Sequence, residues 1–188
     1  MDDSEANSKI VKTIRNVFLV FACGLVCSSV FIKGEKTKMN RAQLVRELIA
    51  DEGYVNEIYK DHLGYDTFGV GHLVLPDDPE CGLPVGSSVS EERIYECLNR
   101  DIDLICDDLD RAIPWWRDLD DNRQRVMANM GFNLGLTRLL GFKRFLAAME
   151  AGNYDAAAIE MMDSRWATQV GPRADRLRDR VLGMEHGA

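Results

Sequence analysis

The chain has 188 residues, room for one domain of ordinary size plus an appendage, and its 46% hydrophobic and 29% charged content excludes both a disordered chain and a polytopic membrane protein. Formal net charge is -8; residues 1–38 hold four acids and six bases, leaving 27 acids against 17 bases in the rest. So acidic a body excludes an electrostatic nucleic-acid binder, and any attraction to an anionic surface must come from local contacts.

The first element is the uncharged run VFLVFACGLVCSSVFI from Val17 to Ile32, preceded by Lys9, Lys12 and Arg15 and followed by Lys33. As a helix it would rise about 24 Å, short of a hydrocarbon core of about 30 Å. Ala22, Cys23, Gly24, Cys27, Ser28 and Ser29 weaken its middle. The expectation is a marginal signal-anchor helix at 17–32 within an N-terminal stub and linker (1–38), with the body (39–188) on the outer face of an inner membrane. A cleaved secretion signal shares the basic flank and apolar stretch, but no clear Ala-x-Ala site follows. A lipoprotein anchor at Cys23 is disfavoured by the six-residue apolar run before it.

In the body, Leu44, Val45, Leu48 and Ile49 recur at helical spacing, so a first helix is expected from Met39 to near Glu52, stopped by Gly53. From Tyr54 to Leu75 aromatics, β-branched residues and Gly64, Gly69 and Gly71 predict a small antiparallel sheet with tight turns. The stretch PDDPECGLPVGSS is a loop. Ser90, Glu91 and Glu92 then open a long amphipathic helix carrying Ile94, Leu98, Ile102, Ile105 and Leu109, broken before Pro114. Further helices are predicted at about 121–132, 142–151, 154–163 and 172–183. The class is therefore α+β, a small β lobe followed by a mainly helical lobe.

Cys23 and Cys27 fall in the apolar run and Cys81, Cys97 and Cys106 in the body, while His62, His72 and His186 are scattered; no spacing matches a metal site, and no metal or cofactor is expected. Gly69 and Gly71 are not a phosphate loop, because no helix follows them.

Two acids lie where a small sheet would face a helix: Glu52 at the end of the first helix and Asp61 at the first turn of the sheet. Cleaving a glycosidic bond needs one acid to protonate the departing oxygen and another to activate water or steady the oxocarbenium-like centre. Among 31 acids such a spacing is weak evidence, since most are solvated surface charges. The surrounding residues add more. DEG at 51–53, YKD at 59–61 and GYDTFGVGH at 64–72 resemble the lysozymes of T-even-type phages, glycoside hydrolase family 24. Glu52, Asp61 and Thr67 keep that family's spacing without a gap. NMGFNLG at 129–135, GF at 141–142 and SRWATQVGPRADR at 164–176 continue the similarity, which runs from about Met39 to Met184.

The resemblance implies a lysozyme-like fold and a monomeric muramidase acting on peptidoglycan glycan strands. It implies Glu52 as general acid, Asp61 as the residue positioning and activating water, Thr67 as a holder of that water, and inversion as the outcome. It places Leu73 and Phe132 along the saccharide cleft. Phe145 and Glu160 depart from the pattern, standing where polar uncharged residues are familiar. The anchor resembles signal-anchor-release segments of phage endolysins, which imply tethering at the inner membrane and later escape to the periplasm for host lysis. In some such relatives an anchor cysteine exchanges disulfides with the catalytic domain, so Cys23 or Cys27 could pair with Cys81, Cys97 or Cys106. Because Asp61 stands where some of them carry a cysteine, direct disulfide blockage of that position is excluded.

Other readings apply to single residues. Thr67 suits a strand by propensity, His72 suits a hydrogen-bonded structural role, and Trp115, Trp116 and Trp166 suit core anchors better than sugar platforms. Two alternatives to a muramidase remain: a lysozyme-like lytic transglycosylase, which needs only one acid, and an inactive membrane-anchored wall-binding protein.

Overall fold

The structure is a computed structural model and describes residues 38–184, all within the unit Glu35–Ala188. The expected anchor at 17–32, with Cys23 and Cys27, lies outside the described residues; among the described residues no helix is long and apolar enough to cross a membrane.

Helix α1 spans Arg41–Glu52, capped by the Asn40 side chain, which accepts from the Gln43 N–H. Leu44 and Leu48 face the core. Gly53 ends it at φ 85°, a left-handed turn that side chains disfavour, so the chain reverses immediately after Glu52. Strands β1 (Val55–Lys60), β2 (Asp66–Gly69) and β3 (His72–Leu73) form an antiparallel sheet in that order. Tyr59 pairs with Thr67, Thr67 with Leu73 and Phe68 with His72. Phe68 is fully buried beneath this sheet. A Cβ on Gly69 would come within 2.9 Å of Ile94, so glycine there lets β2 close onto the next helix.

That helix, α2 (Glu91–Ala112), is the long one expected. Ser90 caps it by accepting from the Arg93 N–H, and Glu91 and Glu92 occupy the positive end of its dipole. Ile94, Leu98, Ile102, Ile105 and Leu109 form its buried face together with Cys97 and Cys106. Because α2 packs on β2 and β3 and also on the following helices, it joins the lobes. A 3-10 turn at Pro114–Asp118 follows, and then α3 (Asp121–Leu134), α4 (Leu136–Leu139), α5 (Lys143–Glu150), α6 (Tyr154–Met162), α7 (Arg165–Val170) and α8 (Pro172–Val181). The 3-10 turn and the short helices α4 and α7 were not expected, being too short to show a period. The α+β class and the small antiparallel sheet are as expected.

His72 joins the lobes by polar contacts. Its Nδ1 lies 2.7 Å from Asp101 and its Nε2 3.0 Å from Asp78. Asp78, in the loop after β3, also accepts from Arg93 (2.8 Å) and Arg100 (3.1 Å) on α2. With both ring nitrogens engaged in a buried site, His72 has the structural role its sequence context suggests.

Candidate active site

Glu52 sits at the C-terminal end of α1, half-buried, and both of its contacts fall on Oε1: Arg173 Nη1 donates at 2.6 Å and Asn133 Nδ2 at 3.3 Å. Arg173 is buried at the start of α8 and is itself held, donating through Nε to Asn129 Oδ1 at 3.0 Å and through Nη2 to the Asn129 carbonyl. Asn129 donates to Asp51 Oδ2 at 2.9 Å, and Asp51 also pairs with Arg176. The carboxylate thus rests in a polar network drawn from α1, α3 and α8. A cavity of about 300 Å³ opens beside it, lined by Asn133, Val170, Pro172 and Arg173 among others.

Asp61 follows β1 in a tight exposed turn. Its Oδ1 accepts from the Leu63 N–H at 2.8 Å and the Tyr65 N–H at 2.9 Å, while its own N–H donates to the Tyr65 carbonyl. Hydrogen bonds from the Tyr65 and Leu63 amides hold its carboxyl below the usual carboxylate range despite opposing desolvation, keeping it ionised at neutral pH. Thr67 is buried on β2 and donates through Oγ1 to the Tyr65 carbonyl at 3.2 Å, which leaves its oxygen lone pairs to accept. Tyr59 is half-buried on β1 opposite Thr67, and its phenol is pushed up first by burial, then by the negative charges of Asp61 and of Glu52.

Leu73, on β3 across from Thr67, is 45% exposed, and Phe132 is half-buried against the core on α3. The two departures from the family pattern fall together: Phe145 is buried and Glu160 half-buried, and both line one groove with Trp166. Trp166 is buried, its indole donating to Asn133 Oδ1 at 2.8 Å. Trp116 is a core anchor whose indole donates to Asp110 at 2.7 Å, and Trp115 packs partly buried against the same core.

Among the described residues, His72, Asp78 and Cys97 bring ligand-type atoms within 4.8 Å of one another. They suit a cation poorly. Arg93 and Arg100 already place two positive charges on Asp78, and burial pushes the Cys97 thiol up to about 11, so it stays protonated at neutral pH. Burial also takes Cys97 and Cys106 out of reach of an exchanging thiol, leaving Cys81 exposed.

Reasoning from residue type overlooked Arg173, Asn129, Asn133, Asp51 and Tyr59. All five lie inside the short stretches that carried the family resemblance, which was the available signal.

A small sheet and a helical lobe joined by a long helix, with one carboxylate in a polar network and a second ionised in a β turn, define a lysozyme-like glycoside hydrolase-type enzyme. The chain belongs to the phage lysozyme family, whose model matches residues 50–181. It is similar to Probable T4-type lysozyme 2 of Dictyostelium discoideum, 30% identical over 149 residues that cover 68% of this chain and 86% of the relative. Two longer proteins are also similar. Pre-baseplate central spike protein Gp5 of Enterobacteria phage T4 is 27% identical over 79% of this chain and 28% of its own length. Peptidoglycan hydrolase gp36 of Pseudomonas phage phiKMV is 26% identical over 72% of this chain and 15% of its own.

Proposed function

We propose that the chain is a muramidase that hydrolyses the β-1,4 linkage between N-acetylmuramic acid and N-acetylglucosamine in bacterial peptidoglycan, with inversion, during host lysis. The observation carrying this reading is that the phage lysozyme match over residues 50–181 spans both Glu52, held in a polar network by Arg173 and Asn133, and Asp61, fixed in the turn after β1. Glu52 is the general acid: Arg173 and Asn133 hold Oε1, Oε2 delivers the proton, and Arg173 steadies the carboxylate left behind. Asp61, ionised by its turn, orients and activates the attacking water through Oδ2. Thr67 accepts a hydrogen from that water, its own proton being committed to the Tyr65 carbonyl. Leu73 and Phe132 line the path of the sugar.

Glu52→Gln removes the proton and preserves the shape. It is expected to abolish clearing of permeabilised Gram-negative cells while circular dichroism stays unchanged; clearing at the wild-type rate overturns the reading. Product masses that include an added water separate hydrolysis from transglycosylation, for which anhydro sugars are diagnostic.

The uncharged run 17–32 with its basic flanks supports delivery as an inner-membrane form with the body in the periplasm, later released. Activity in membrane and soluble fractions, before and after collapse of the membrane potential, tests this. Activity in the soluble fraction throughout counts against an anchor.

A further inference from the structure

We propose that the cavity between the start of β1 and the first turns of α2 binds an organic primary ammonium ion, at a site separate from the proposed cleavage site and independent of the muramidase reading. The cavity has a volume of about 460 Å³, the size of a small-ligand site. It shares no lining residue with the cavity beside Glu52 or with the groove of Phe145 and Trp166. Its position follows from local pairing. The Val89 N–H donates to the Asn56 carbonyl and Glu57 bridges to Ser88, which brings the entry to α2 alongside β1. Glu91 and Tyr95, four positions apart and so on one face of α2, line one side, and Tyr54 and Asn56 supply the other.

The lining suits a positive charge. Tyr54 and Tyr95 meet with ring centroids 6.4 Å apart and planes inclined at 46°, so the two rings form a wedge rather than a flat stack. Aromatic faces carry negative potential and attract cations. Glu91 adds a carboxylate, and among the described residues no Lys, Arg or His lines the cavity. The Tyr54 phenol is pushed up first by burial and then by Glu91, Tyr95 and Glu92, which registers the negative field at this spot. The two carboxylates outweigh the roughly half positive charge at the N-terminus of α2.

Among the described residues the side chains of Tyr54, Asn56, Glu91 and Tyr95 make no hydrogen bond or ion pair. The cavity therefore presents a carboxylate, an amide oxygen and two phenol oxygens as free acceptors, and a primary ammonium supplies three donors. Half-buried Ile49 and buried Val89 offer apolar surface to the attached carbon chain. Other ligands fit less well. A quaternary ammonium leaves the acceptors unused, a hydrated metal ion gains little from rings and apolar floor, and an anion is repelled. Organic primary ammonium ions come from two sources, free aliphatic diamines and the side-chain amine of a diamino acid in bacterial wall peptide.

The test follows the tyrosine ring signals of the full, isotope-labelled chain by NMR, assigned through Tyr54→Phe and Tyr95→Phe, while n-pentylammonium or neutral n-pentanol is added at constant ionic strength. Both ring signals are expected to shift with pentylammonium at millimolar concentration, and pentanol to bind about tenfold more weakly. Glu91→Gln, at an exposed position outside the catalytic network, should weaken the ammonium about fivefold. No shift by about 50 mM, an equal response to pentanol, or full affinity in Glu91→Gln overturns the proposal. Cadaverine and a wall tripeptide with a free diamino-acid amine, compared with that peptide acetylated on the amine, then separate the sources. Binding of the free-amine peptide assigns wall peptide, and binding of cadaverine alone assigns free diamines. Binding of neither, or equal binding of the acetylated peptide, overturns the site. These titrations read no turnover, so their outcome is distinct from that of the cleavage assays.

Discussion

Glu52 and Arg173, 121 positions apart in the chain, meet at 2.6 Å, so the end of α1 takes its final geometry only when α8 docks. Arg173 is 6% exposed and Asp51 only 4%, and Arg173 reaches Asp51 at 3.5 Å.

Arg173→Ala should therefore strand buried acidic charge and cost about 3 kcal/mol. Activity should fall by more than the loss of folded protein explains. Arg173→Lys restores the charge without the planar fork, recovering only part of both. Urea unfolding and cell clearing measure the two effects; an alanine variant with wild-type midpoint and rate removes the role given to Arg173.

His72 makes stability depend on pH. Burial works against its protonation, but hydrogen bonds and charge from Asp101 and Asp78 outweigh burial and raise its pKa. Arg100, Arg93 and Glu80 complete the surrounding charges. A raised folded pKa means stabilisation that is complete below the unfolded histidine value near 6.5 and is lost as pH climbs through the folded value. Asp78 runs the other way: burial opposes ionisation, yet the Leu75 amide, His72 and Arg100 hold its carboxyl far below the usual range. Its contribution is present above about 4 and fades under acid. The maximum from these two groups falls between about 4 and 6.5, and His72→Gln should flatten the alkaline decline in unfolding free energy. An unchanged slope in that variant would place the dependence elsewhere.

Gly131 lies where α3 crosses α2, and a Cβ there would stand 2.7 Å from Ile105 Cγ1. Gly131→Ala should lower stability by about 1–3 kcal/mol through overpacking, although alanine favours helices. Adding Ile105→Val should return part of it, since the shorter side chain leaves room. Thermal melts of the single and double variants decide, and additive losses would deny the contact.

Cysteine reactivity should divide by burial. Cys81 is exposed, whereas burial raises the thiols of Cys97, to about 11, and of Cys106. Brief alkylation of the folded protein followed by peptide mass mapping should mark Cys81 and leave Cys97 and Cys106 unmarked until denaturant is added. Rapid native labelling of Cys106 would mean that the core opens more readily than its packing implies.

Much of this molecule was legible as a string of residues. Ile94 through Leu109 repeat with a helical period, Ser90 is a capping residue, and glycines mark the turns, all effects acting within a few positions. Glu52, Asp61 and Thr67 were nameable because they lie within a short stretch whose spacing resembles a known family. Helices α4 and α7 were not, because four and six residues are too few to show periodicity.

The partners of those residues required the folded chain. That Arg173 grips Glu52, that Asp78 and Asp101 take the two nitrogens of His72, and that Phe145, Glu160 and Trp166 wall one groove all follow from how helices pack. Backbone preference and hydrophobic period are local properties carried by neighbouring residues. A hydrogen bond across 81 or 121 positions exists only after burial has brought distant segments together, and no local pattern encodes which polar group will be waiting there.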